Sequence, residues 1–245
     1  MRFFLIFFLI FPSNLLSSGH KALYKFRFMV FDVGTVKYTF KTQGESYKAY
    51  VAGKAEGIAA IISGGRKEYH RAVLSRGKDG FLRASFYRTE IRKKNYVKIK
   101  EMWFRDDSVE VRYRKIKKGR IKLKKYTLKT KSMCYDPISL FENLSIPGFF
   151  DKKPGSKFSF CVVTPNGKLS RIEGRVLGKD EKPPVPLKDG EKLVVLLTFF
   201  SHILPFKAGK IYLFFNEKMI LKRACIKDVV LFGDLNVELL KWENL

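Results

Sequence analysis

The chain is short of the residues that common catalytic sites are built from. Its 245 residues include three cysteines (Cys134, Cys161, Cys225), three histidines (His20, His70, His202) and two tryptophans. No CxxC occurs and the histidines are scattered, so no zinc-ligand spacing exists and neither metal nor cofactor is expected. GxSxG, HExxH, Walker A and GxGxxG are also absent. Gly64-Gly65-Arg66-Lys67 lacks the strand–helix frame of a phosphate loop. The adjacent acids Asp106 and Asp107 sit in a turn, where turn chemistry accounts for them. No residue is assigned to catalysis, and a non-enzymatic protein is expected.

Acidic residues are scarce. Asp and Glu total 23 against 49 Lys and Arg, a formal charge of +26. Such a field draws polyanions: nucleic acid, anionic lipid headgroups, envelope phosphates or acidic proteins. Long apolar runs are missing as well. The N-terminal run from Phe3 to Phe11 is nine residues, far below the roughly 20 that span a bilayer. Arg2 precedes it, Pro12 breaks it, and Ser17-Ser18-Gly19 places small residues before His20. Residues 1–19 therefore read as a secretory signal peptide, cleaved near Gly19 to leave a soluble domain over 20–245. No cysteine follows the apolar run, which argues against a lipid-anchored form. Export to a periplasm or an equivalent space removes nucleic acid from the candidate partners. Membrane surfaces, anionic polymers and envelope proteins remain.

An odd cysteine count cannot be fully paired within one chain. Cys161 and Cys225 lie in strand-like runs, so a bridge, if an oxidising compartment forms one, is expected between them. The simpler expectation is three small buried hydrophobes.

Aromatics are plentiful: 23 Phe and 11 Tyr, residues that favour strands. Strand-like runs, alternating between apolar and polar in 24–30 and 35–40, cover 24–30, 35–40, 46–55, 81–91, 96–105 and 108–116, and strands return over 157–163, 168–177, 192–200, 210–217, 221–232 and 236–240. Turn residues punctuate them, including Asp32-Val33-Gly34, Lys78-Asp79-Gly80, Lys93-Lys94-Asn95 and Pro165-Asn166-Gly167. The apolar stretch 57–65 is too short to classify. The loop 178–191 carries three prolines and reads as an excursion within one domain. One helix is expected, over about 137–144. Asp136 is its N-cap, Pro137 occupies the first helical position, and Ile138, Phe141 and Leu144 fall at helical spacing.

The densest charge lies in RYRKIKKGRIKLKK, Arg112 to Lys125, with nine basic residues in fourteen and no acid. Alternation predicts a hairpin turning at Gly119, which can adopt the left-handed conformation. With Ile116 opposite Arg120, Tyr113 meets Leu123 on a buried face. Arg114 then opposes Lys122 and Arg112 opposes Lys124 on a cationic face. Like charges directly opposite repel, and an anionic surface would relieve them. Arg112, Arg114, Lys115, Lys117, Lys118, Arg120, Lys122 and Lys124 are the candidate anion-binding residues. Basic residues are also dense over 66–76, 92–100 and 152–157, so the hairpin is the peak of a wider trend.

Several segments, read in order, resemble bacterial envelope proteins of domain-of-unknown-function family 3108. Asp79-Gly80-Phe81-Leu82-Arg83 is similar to one family motif, with Ala84 where a proline is usual. Phe104-Arg105-Asp106 approximates a second. Asp136-Pro137-Ile138-Ser139-Leu140 matches a third, although Glu142-Asn143-Leu144 replaces its usual arginine ending. Gly233 with Leu239 or Leu240 matches the last. The resemblance implies an all-β fold, a spiral β-roll whose barrel-like antiparallel sheet wraps one short helix. It also implies a periplasmic place and a part in envelope integrity. No catalytic residues are assigned to the family, so none are carried over. The expected function is a non-enzymatic envelope protein that binds an anionic or amphipathic partner through its basic surface. A lipid or lipoprotein carrier with an apolar groove in 193–215 is the alternative, and an envelope enzyme of unknown reaction the second.

Overall fold

The computed structural model describes residues 19–178, 180–199, 209–229 and 233–245. The expected signal peptide, up to Ser18, lies outside the described residues. The described residues form fifteen strands and two helices. The N-terminal arm contains β1 (Gly19–Phe28), β2 (Phe31–Gln43), β3 (Ser46–Ala55), α1 (Gly57–Ser63), β4 (Lys67–Arg76), β5 (Leu82–Lys93), β6 (Tyr96–Phe104), β7 (Ser108–Lys117) and β8 (Arg120–Lys129). The C-terminal arm contains β9 (Cys134–Tyr135), α2 (Pro137–Ser145), β10 (Lys157–Val163), β11 (Leu169–Val176), β12 (Leu193–Phe199), β13 (Gly209–Phe215), β14 (Leu221–Val229) and β15 (Gly233–Asn244).

All fifteen strands lie in one sheet, in the order β8-β7-β6-β5-β4-β3-β2-β1-β15-β14-β13-β12-β11-β10-β9. β1 pairs with β15, so the two ends of the sequence meet at the middle of the sheet and each arm meanders outward. The period-two pattern explains the strands. In β1, Ala22, Tyr24, Phe26 and Phe28 are buried and alternate with less buried Leu23, Lys25 and Arg27. The described pairs are antiparallel except β9 with β10. β4 extends the sequence reading, which placed no strand over 67–76.

The sheet curls until its far ends touch. The Tyr126 hydroxyl on β8 donates to the Gly167 carbonyl in the β10–β11 turn at 2.9 Å. Gly167 has φ +66°, and a Cβ there would come within 2.5 Å of that hydroxyl. The close approach therefore requires glycine. Inside the roll sits α2, every residue of it buried. Asp136 caps it, accepting from Ile138 N at 2.9 Å and Ser139 N at 3.2 Å, with Pro137 at the first turn. Ile138, Leu140, Phe141 and Leu144 join the main core. Burying each contributes about 2–3 kcal/mol.

Polar side chains fix the helix to both arms. Asn143 accepts from Leu82 N at 2.7 Å and donates to Leu82 O at 2.8 Å, at the start of β5. Tyr38 donates to the Glu142 carboxylate, and Ser145 donates to Met219 O at 3.2 Å. Replacing Asn143 with alanine would strand the Leu82 N–H and C=O in the core. A loss of about 2–3 kcal/mol is expected on chemical denaturation. A midpoint unchanged from wild type would mean that the helix is held by packing alone.

Residues 180–191 fold over the outer face of the C-terminal arm. Val185 and Tyr212 pack on a second cluster of Leu177, Val194, Leu196, Phe214 and Cys225. Arg223, in a buried pair, donates to Glu191 at 3.0 and 2.8 Å and to Pro186 O at 2.7 Å, with its guanidinium 4.3 Å from the Phe214 ring centre. The carrier alternative placed its groove in 193–215, of which residues 200–208 lie outside the described residues. The apolar side chains of β12 and β13 are divided between the main core and this covered cluster. Leu196 of β12 also borders an open cleft of about 530 Å³, whose lining includes Phe158, Gly174, Thr198, Arg171 and Arg175.

Candidate functional site

The basic hairpin is β7 and β8, but its register corrects the expected one. Lys117 opposes Arg120, leaving a two-residue turn of Lys118 (φ +49°) and Gly119 (φ +77°). Both residues are left-handed, which is the type I′ geometry that suits the twist of a hairpin. Ile116 therefore opposes Ile121 rather than Arg120, and Tyr113 opposes Lys124 rather than Leu123. A one-residue slip flips every side chain of the second strand. Ile121 and Leu123, expected inside, are exposed on the outer face. Lys122 and Lys124 share the face of Val109, Val111 and Tyr113. The expected pairs Arg114–Lys122 and Arg112–Lys124 do not form. Lys115 opposes Lys122, Arg114 opposes Leu123, and Arg112 opposes Lys125.

The like-charge contact survives in other residues and grows wider. β6 places Lys98 opposite Lys115, which itself opposes Lys122, so three lysines cross three strands in one row. In the next row Lys100 opposes Tyr113, which opposes Lys124. Glu110 pairs with Arg112 at 2.8 Å and Lys125 at 3.4 Å. Arg112 also stacks 4.6 Å over Trp103. Among the described residues, Arg114, Lys115, Lys117, Lys118, Arg120, Lys122 and Lys124 have no acidic partner.

Lys100 marks the inner end of this row. It is buried, and its amine donates to the Asn166 carbonyl in the β10–β11 turn. Lys98 reaches the Asn166 side chain at 3.4 Å. Burial, then the charges of Lys98 and Lys168, pull the Lys100 ammonium down to about 7. Beside it on the same face are the buried pair of Arg66 with Glu68, and His70, whose Nδ1 lies 2.8 Å from the Tyr87 hydroxyl. Sequence reading missed Lys98 and Lys100. Their alternation with Val97 and Ile99 was visible, but the buried face of β6 changes from apolar to basic along its length.

The disulfide expectation is also corrected. The bridge joins Cys134 and Cys161, direct partners in the β9–β10 ladder with Cα atoms 4.5 Å apart. Cys225 is free and buried in the covered outer cluster, where burial raises its thiol to about 11.

Comparison of the fold gives a crystal structure of a β-barrel-like protein of domain of unknown function DUF1849 from Brucella abortus. It has a TM-score of 0.58 at 13% identity, covering 94% of this chain and 99% of that one. At that identity the likeness concerns the fold alone. No curated protein matches the chain. The family model described as a protein of unknown function, DUF3108, matches residues 23–238, nearly the whole roll from β1 into β15, and the chain belongs to that family.

Proposed function

We propose that this is an exported, non-enzymatic envelope protein that binds an anionic surface through the basic end of its N-terminal arm. One observation carries the reading: cations in neighbouring strands of β6–β8 are set directly opposite one another without acids between them. Lys98, Lys115 and Lys122 form one such row, and Lys117 faces Arg120. Opposed cations about 5 Å apart lie within a Debye length of about 8 Å, so salt screens them only in part. An array of phosphates would convert that repulsion into binding. The Cys134–Cys161 bridge supports export, because disulfides persist in oxidising compartments.

Each cation at an anionic membrane surface is worth about 1 kcal/mol. The double variant Lys115→Gln, Lys122→Gln is therefore expected to bind phosphatidylglycerol vesicles about thirtyfold more weakly in sedimentation assays. Raising the salt should weaken the wild type more than the variant. Equal binding by both proteins would remove the hairpin from the reading.

A further inference from the structure

The meander brings turns that are distant in sequence to one rim of the roll. The β1–β2 turn, the α1 connection between β3 and β4, the β5–β6 turn and the β7–β8 turn all lie there. Two of them break the local rules for exposed connections. The two-residue turn joining Phe28 and Phe31 is Met29-Val30, where a hairpin ordinarily uses asparagine and glycine. Met29 is held left-handed at φ +51°, a conformation unusual for such a side chain. Neither residue is hidden: Met29 is 70% exposed, Val30 83% and the adjoining Phe31 57%. On the same rim α1 packs against β2 and presents Ile61, 82% exposed, with Ile62 also exposed. Ile121 beside the β7–β8 turn adds another exposed apolar side chain.

Single exposed apolar residues need no explanation, but a set gathered at one rim does. Charge supplies the rest. Lys93, Lys94, Lys117, Lys118 and Arg120 flank the β5–β6 and β7–β8 turns. In the turns named here, the described acids are already engaged. Asp32 pairs with Lys25 and Arg27, Glu56 with Lys54, and Glu68 with Arg66. Glu45, Asp79, Asp106 and Asp107 lie in the turns of the opposite rim. Exposed apolar and unpaired basic side chains thus meet at this rim, whereas the turns of the opposite rim mix both signs, with Lys78 beside Asp79 and Arg105 beside Asp106.

We propose that this rim docks on an anionic phospholipid bilayer. The Met29-Val30-Phe31 turn and the Ile61–Ile62 edge of α1 enter the headgroup–acyl boundary while the lysine turns hold phosphates. Interfacial elements enter that boundary to about 5–10 Å, within reach of an exposed turn and a single helical edge. A second copy of the chain is a poorer occupant, because a rim-to-rim contact would set lysine against lysine. The proposal rests on the anionic-surface reading and adds insertion to it.

The test places a tryptophan at the turn, Val30→Trp, and a control at the opposite rim, Glu45→Trp. Emission is compared with the wild type on vesicles with brominated acyl chains. With phosphatidylglycerol present, quenching is expected for Val30→Trp and not for Glu45→Trp. Val30→Asp, at a site too exposed to disturb folding, is expected to lower vesicle partition about tenfold or more. Bound Val30→Trp protein with unquenched emission overturns insertion and leaves the electrostatic reading standing. Absence of binding to anionic vesicles overturns both. Equal binding and quenching on pure phosphatidylcholine overturns the requirement for anionic lipid.

Discussion

Reducing the Cys134–Cys161 bridge, or replacing both cysteines with serine, is expected to lower the unfolding free energy by about 3–4 kcal/mol. The bridge closes a loop of sequence separation 27. Loop-closure entropy of that length gives such a value when the reference is an open unfolded chain. At about 2–4 °C per kcal/mol for a chain of this size, the midpoint should drop by about 10 °C. Position amplifies the effect. The enclosed segment contains α2, the plug of the roll, and β9 holds to β10 through two residue pairs at the end of the sheet. Once the bridge opens, the helix N-terminus should loosen first. Amide exchange should quicken at Ile138 and Ser139, which Asp136 caps, before it quickens in β1 or β15. Cys225→Ser provides the comparison, since that thiol is remote from the plug and packs among Val194, Leu196 and Phe214. A reduced protein within about 1 kcal/mol of the oxidised one would mean that the core alone fixes α2.

That bridge was not legible in the sequence, and the reason is physical. β9 is two residues long and gives no periodic signal, and its partner is chosen by a parallel contact that follows the excursion through α2. Long strands with one apolar face were legible, as was α2, because cap, proline and apolar spacing agree at Asp136-Pro137-Ile138. β4 was not, because its inward positions Glu68 and His70 are polar while Ala72 and Leu74 are apolar. The basic hairpin was legible as charge but not as geometry. Register depended on whether Lys118 would accept a left-handed backbone, and a single residue decided which face Lys122 and Leu123 occupy. The apolar rim was hidden for a related reason. Val30 continues the alternation of Tyr24, Phe26 and Phe28 and reads as strand, whereas the chain turns there. The convergence of that turn with α1 and the β7–β8 turn follows from fifteen-strand topology, which no local pattern contains.

The protein should also be acid-sensitive, losing stability between pH 7 and pH 4 through groups whose signs oppose one another. His20 is enclosed by aromatic rings, 4.4 Å from Trp242 and 5.3 Å from Phe40, and burial pulls its imidazole down to about 3. Glu142 is 3.8 Å away and already accepts from Tyr38, so it does not hold the histidine charged. Burial, with Arg66 nearby, likewise lowers His70 well below its ordinary value. Both histidines bind a proton in the unfolded chain below about pH 6.5 but stay neutral when folded. Stability is therefore full above that pH; as pH drops it falls by about 1.4 kcal/mol per unit through His20, and His70 acts in the same direction. Asp136 acts the other way. Burial outweighs its bonds from Ser139 and Ile138 and raises its carboxyl to about 6. The folded protein takes up that proton before the unfolded chain does, so acidification from about pH 6 to pH 4 returns about 1.4 kcal/mol per unit and cancels one histidine. The exposed carboxylates paired with arginine on the surface are screened and change little. Chemical denaturation across this range separates the contributions. His20→Phe keeps the aromatic stack and should make the acid loss clearly shallower below pH 6. Asp136→Asn keeps an N-cap and should steepen the acid slope, because the compensating proton uptake is gone. If both variants keep the wild-type slope, the neutral histidines and the buried cap do not govern the acid response, and repulsion among the cations on β6–β8 becomes its source.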